Sequence, residues 1–175
     1  FPHADVPVDT ALAKRLSEDV PGLRLESEAH REEHGAEVLV PFLHHANPNL
    51  KIVPIALGAA SFDDLAPLSA ALKSIDALFV ISSDMNHFAN DAENRRLDQL
   101  ALVQLETGNA RGLYDVCIEH QISMCGMRPA VAVMQALAGC DVEITRYETS
   151  ARITEDTSKV VGYAGALFSR LCKKS

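Results

Sequence analysis

The sequence has no cluster of Lys or Arg beyond the CKKS tail, and its formal charge is −8 with a pI near 5.3. That balance excludes a phosphate-backbone partner, which needs a basic stripe or face, so no nucleic-acid role is expected. No apolar stretch reaches the roughly 18 residues that a membrane span requires, and none resembles a signal peptide. The four cysteines, Cys117, Cys125, Cys140 and Cys172, form no CxxC pair and no disulfide-framework spacing. Free thiols of this kind suit a reducing, cytoplasmic setting. Internal repeats, linkers and low-complexity tracts are also missing. What remains is 175 residues with 47% hydrophobic content spread evenly, enough for one soluble domain that buries its own core.

Periodicity gives the elements. Leu12, Leu16 and Val20 recur at four-residue spacing in a first helix from about Asp9, stopped by Pro21-Gly22. EEHGAEVLVPFLHHA reads as a second helix with Ala36, Val38, Leu39, Phe42 and Leu43 inward and a kink at Pro41. KIVPIALG is a buried strand, FDDLAPLSAALKSI a helix, and ALFVIS a second buried strand, so βαβ spacing makes the two strands parallel. A long helix follows over 90–107, with Leu97, Leu100, Ala101 and Leu105 on its apolar stripe and Gly108 at its end. Shorter helices cover 110–119 and RPAVAVMQALAG, the latter with Pro129 in its first turn and Gly139 at its end. DVEITRYETS and SKVVGYAGALFSRL close the sheet as antiparallel or edge pairs.

Three places combine polar reach with position. The run ALFVISSDMNHF passes abruptly from core to chemistry, and its polar tail falls at a strand's carboxyl end, where α/β sheets bind ligands. Asp84 and His87 are candidates there, although Ser82, Ser83, Asp84 and Asn86 also suit a turn ahead of a helix. In EAHREEHGAE, His30 and His34 are four apart, as are Glu33 and Glu37. On a helix such pairs share a face, as zinc-binding HExxH helices require, yet the frame is HREEH with the Glu not next to the first His, and an exposed acidic helix with incidental histidines explains it better. His44 and His45 suit the end of that helix. In ISMCGMRPAV, Cys125 precedes a helix start, whose partial positive charge favours the thiolate that nucleophiles and metal ligands need. A structural thiol at a tight turn is the alternative. Cys117 and Cys140 fall in or near apolar helix faces, and Cys172 lies by the terminus.

Taken in order, REEHGAEVLVPFL, KIVPIALG, VISSDMNHFAN with LDQL, CGMRP and VVGYAGALF resemble the Memo family, also called AmmeMemoRadiSam system protein B. The resemblance runs from DVPVD to the C-terminal strand. It implies a single Memo-like domain over 1–175, without the family's N-terminal segment. The implied fold is α/β: a three-layer α/β/α sandwich with a mixed, largely parallel central sheet, distantly similar to the B-type (class III) extradiol dioxygenases.

By the same resemblance, Cys125 is a metal ligand beside two histidines that precede this sequence, and His3 matches neither. His87 lies by the metal as acid/base, Asp84 orients it or binds the metal, and Glu33, His34 and Arg128 line the pocket. Here Arg128 is one residue later than the family's usual CGR spacing. The implied cofactor is Fe(II), with Cu or Zn as alternatives, at a site incomplete in this chain. The resemblance therefore implies either a metal-dependent oxidoreductase or a non-catalytic binding protein that holds a small molecule or peptide. Implied partners are radical-SAM and AMMECR1-like proteins, with a homo-oligomer expected because an exposed sheet edge invites pairing.

Overall fold

The computed structural model describes residues 5–169; His3, Cys172 and the CKKS tail lie outside them. The chain divides into two compact units, one up to Ala59 and one from Ala60 onward. The described residues mix helix and strand, with a small antiparallel sheet.

In the first unit, α1 (Thr10–Asp19) begins where Asp9 accepts the Leu12 backbone N–H at 3.0 Å, an N-cap that satisfies one orphan donor. A single 3₁₀ turn covers Glu28–His30, and α2 spans only Val40–Ala46. The longer second helix expected over 32–46 therefore does not form. Pro41 sits in the first turn of α2 rather than at a kink, because a proline cannot donate to the preceding turn and its ring crowds the carbonyl four residues back. Proline starts this helix instead of bending it. Val38 and Phe42, expected inward, are exposed. The 51–57 strand is reduced to one parallel bridge, Val8 with Ile52.

The second unit holds the core. After a 3₁₀ turn at Asp63–Leu65 come α3 (Ala66–Lys73), α4 (Asp91–Glu106), α5 (Ala110–Glu119) and α6 (Met127–Ala136). α6 packs on α3 and on α5, and α4 packs on α5 and β1 (Asp141–Thr149). Ala130, Val131, Ala132, Val133 and Met134 of α6 are all buried, against Leu68 and Leu72 of α3 and Leu113 and Cys117 of α5. α4 starts at Asn90, whose side chain accepts the Glu93 N–H. Its buried face is Asn94, Asp98, Ala101, Leu102 and Leu105; Leu97 and Leu100, expected on the stripe, are half-buried. After the short α7 (Ala151–Thr154), β2 (Gly162–Ser169) pairs antiparallel with β1. A bulge at Thr145 breaks the register, and the Thr145 hydroxyl donates to the Gly165 carbonyl at 3.1 Å.

The run expected as a central parallel strand, 77–83, joins no ladder. Leu78 is 81% exposed and Val80 47%. Strand formation is not a local property: an apolar, β-branched run becomes a ladder only where neighbours supply its backbone partners. Among the described residues, the sheet is two-stranded and antiparallel, so the expected parallel centre is absent from it.

Candidate functional site

Two loops of the second unit meet at the candidate site. One is 82–88, which leaves the extended run and enters α4. The other is 122–126, which joins α5 to α6. The first loop is held by backbone pairing with residues 160–162 at the start of β2: Met85 N–H donates to the Gly162 carbonyl at 2.9 Å, Gly162 N–H to the Asn86 carbonyl at 3.0 Å, and Phe88 N–H to the Val160 carbonyl at 2.7 Å.

Beneath it lies a buried polar network. Asp98, fully buried, accepts the Asn86 backbone N–H at 2.7 Å, the Asn94 side-chain N–H at 2.9 Å and the Tyr147 hydroxyl at 2.6 Å. Burial pushes the Asp98 carboxyl up, against the pull of these three donors. The Asn86 amide donates to Asn94 Oδ1 at 2.8 Å, and its Oδ1 accepts from Ser123 N–H at 3.1 Å and Ser123 Oγ at 3.2 Å. Ser123 Oγ in turn accepts the His87 backbone N–H at 2.8 Å. A Cβ on Gly162 would collide with the Asp98 carboxylate, so only glycine lets β2 approach this network.

The second clasp joins Cys125 to the same loop. Gly126 N–H donates to Ser83 Oγ at 2.8 Å, and the Ser83 hydroxyl donates to the Asp84 carbonyl at 2.6 Å. A Cβ on Gly126 would run into the Ser83 side chain and the Ser82 carbonyl. Asp84 N–H points at Cys125 Sγ, 3.2 Å away, with Ser83 Oγ at 3.7 Å. His87 Nε2 lies 3.4 Å from Asp84 Oδ2. Cys125 is exposed, whereas Cys117 is buried in α5 and burial pushes its thiol up to about 12.

Of the residues expected at the site, the structure thus brings together Asp84, His87 and Cys125. Arg128, in the first turn of α6, donates from Nε to the Ala60 carbonyl at 3.0 Å, and it makes no hydrogen bond or ion pair to those three. Glu33 and His34 belong to the first unit. Glu33 accepts the Gly35 N–H at 2.6 Å and lines, with His30 and Glu37, a groove of about 380 Å³. His30 ends a 3₁₀ turn and His34 follows it in irregular chain, so the two histidines do not share a helix face as their spacing suggested. Asp98, Asn94, Ser123 and Tyr147 were not singled out by sequence. Their signal was present: Asn94 and Asp98 occupy i and i+4 positions in register with buried Ala101 and Leu105, where a helix facing a core should be apolar.

The donor types at this site are those a metal accepts: a thiolate, an imidazole and a carboxylate. Their placement does not complete a site, because no three His, Cys, Asp or Glu side chains among the described residues are arranged to hold an ion. What the arrangement can do is present an exposed thiol next to a carboxylate that faces an imidazole at 3.4 Å, on a braced base.

The profile of the Memo-like protein family matches residues 1–167. The chain is 33% identical over 175 residues to a MEMO1 family protein of Aquifex aeolicus, covering 95% of this chain and 65% of that protein. It is 33% identical to a MEMO1 family protein of Archaeoglobus fulgidus, at 95% and 66% coverage, and 31% identical to one of Methanobrevibacter smithii, at 95% and 62%. The chain therefore spans slightly less than two thirds of these relatives' length.

Proposed function

Because the chain belongs to the Memo-like protein family, we propose that the Asp84–His87–Cys125 cluster is one wall of a metal-associated oxidation site resembling that of the extradiol dioxygenases. The observation that carries this reading is the clasp in which Asp84 N–H meets Cys125 Sγ at 3.2 Å while the Asp84 carboxylate faces His87 Nε2 at 3.4 Å. In that arrangement Cys125 offers a thiolate to a metal, Fe(II) first and Cu or Zn next. Asp84 fixes the His87 imidazole through Nε2, which leaves Nδ1 to accept or return a proton. The remaining ligands come from outside the described residues in this reading.

A second reading is favoured by the absence of a three-ligand group among the described residues: the cluster holds a small molecule or peptide without turnover, and the protein acts as a scaffold for radical-SAM and AMMECR1-like partners. In either case we infer a cytoplasmic protein whose complete fold is a three-layer α/β/α sandwich, in which the exposed run 77–83 gains strand neighbours, in a homo-oligomer or from further family sequence. No helix among the described residues is long and apolar enough to cross a membrane.

Anaerobic binding of Fe(II), Cu(I) and Zn(II) separates the readings. Stoichiometric binding lost in Cys125→Ser supports the metal site. Equal, weak binding by both proteins overturns it and leaves the scaffold reading.

A further inference from the structure

The hairpin of β1 and β2 has two unlike sides. Tyr147 and Ala164 are cross-strand partners on the side turned to α4, where the Tyr147 hydroxyl reaches Asp98. Side chains alternate along a strand, so the adjacent pairs, Glu148 with Tyr163 and Arg146 with Gly165, stand on the opposite side. Glu143 and Leu167 are the next pair on that side beyond the Thr145 bulge. At its other end α7 extends the same surface, since Arg152 and Ile153 line one groove of about 360 Å³ with Arg146, Glu148, Tyr163 and Gly165.

This side is apolar and uncovered: Ile153 is 84% exposed, Leu167 60% and Tyr163 46%. Its charges alternate in sign along β1 through Glu143, Arg146 and Glu148, and Arg152 stands past them, 3.0 Å from Glu148. Arg146 is exposed and has no ion-pair partner among the described residues. Between Tyr163 and Leu167, Gly165 leaves a notch. It has to be glycine, because a Cβ there would sit 2.6 Å from the Thr145 hydroxyl.

We propose that this side of the hairpin is where two copies of the chain meet, about a two-fold axis that crosses the strands between the Arg146–Gly165 and Glu148–Tyr163 pairs. A two-fold contact lays one patch on itself, so whatever residue i meets in its partner, that residue meets i. With the axis there, the Tyr163 ring enters the notch at the partner's Gly165 and Arg146 faces the partner's Glu148. One row further out, Leu167 meets the partner's Ile153 and Glu143 the partner's Arg152. Each charge thus finds the opposite sign and the ring fills the gap that glycine leaves. An axis through the Arg146–Gly165 pair would instead set two guanidinium groups together, which like-charge repulsion disfavours. Tyrosine and arginine are also the side chains that carry most of the energy in protein contacts. The contact is independent of the metal reading and of the strand pairing inferred for 77–83.

Sedimentation equilibrium of the full chain tests this. The wild type should associate reversibly into dimers as its concentration rises. Arg146→Glu and Tyr163→Glu should each weaken the dimer about tenfold or more. Their melting temperatures, read in dilute solution where every chain is monomeric, should match the wild type, since both side chains reach solvent. Tyr163→Phe should keep the dimer, because the ring and not the hydroxyl fills the notch. Leu78→Glu, on the run 77–83, should keep it as well. A wild type still monomeric at about 100 μM would overturn the proposal, and so would a dimer that survives both Arg146→Glu and Tyr163→Glu. A dimer lost in Leu78→Glu but kept in Arg146→Glu would move the contact to 77–83 and overturn it too. None of these outcomes depends on the Cys125 metal assay, so either reading can fail without the other.

Discussion

The two units of this chain use the same kinds of residue and bury them very differently. In the second, α6 buries nearly its whole surface, and Leu113, Val131 and Val160 are each 0% exposed. In the first, Leu16 and Val20 alone are buried among the described residues, while Leu25, Val38 and Phe42 face solvent. The difference teaches where the chemistry can be precise. Asp84, His87 and Cys125 ride on loops braced by a fully buried carboxylate and by helices packed on both sides. Glu33 and His34 ride on turns with no buried neighbour in their own segment. A site is held to geometry by the shell behind it, and only the second unit has one.

That contrast can be broken most directly at Leu113. Leu113→Ala should cost about 2–5 kcal/mol in urea unfolding, the range for a leucine truncated in a core that cannot collapse onto the gap. A loss below ~1 kcal/mol would mean that the second unit is no better packed than the first.

Asp98→Asn should cost roughly 1–3 kcal/mol, because one of the three donors aimed at the carboxylate loses its acceptor inside the protein. Its pH signature sharpens the test. Burial raises the folded-state value of Asp98, so its contribution to stability is present below the ordinary carboxylate range and is lost as pH rises through the folded value. Glu148 has the opposite sign. Hydrogen bonds from Arg152 and Arg95 hold it down to about 2, so its contribution is present above the ordinary glutamate value and fades as pH falls toward 2. Urea midpoints followed across the acid range should therefore lose only the first slope in Asp98→Asn. Parallel curves for variant and wild type would show that Asp98 is not the buried ionisable centre of this unit.

The smallest effect belongs to Phe42→Ala in the first unit. With the ring 74% exposed, the change should stay within about 0.5 kcal/mol by thermal melting. A larger loss would show that α2 is packed more firmly than its exposure implies.

Helices were the legible part of the fold. α5 runs Ala110–Glu119 as its spacing indicated, α1 takes Asp9 as its cap, and Gly108 and Gly139 adopt positive φ just beyond the helices they end. These signals are local, because a cap or a left-handed glycine acts within one turn. The second helix was overread because apolar spacing at Val38, Leu39 and Phe42 looked continuous across Pro41. The strands were overread because a run such as ALFVIS states a preference for pairing without naming a partner. At the site, the Asp84 and His87 loop and Cys125 were visible as abrupt changes from apolar to polar chain. The bracing of that loop by Asp98 through Asn86 and Ser123 was not, since nothing in the order of residues says which helix position will face which loop.

By itself, then, the sequence determined the residues with chemistry to offer, the capped helices, the acidic balance and membership of a family whose motifs occur in fixed order. Only the tertiary structure decided that Asp84 would present its amide to Cys125, that Asp98 would be buried beneath the loop, and that Phe88 would stand exposed in a left-handed turn. Those facts depend on contacts between segments far apart in the chain, and such contacts are fixed by packing and hydrogen-bond satisfaction across the whole unit rather than by any stretch read alone.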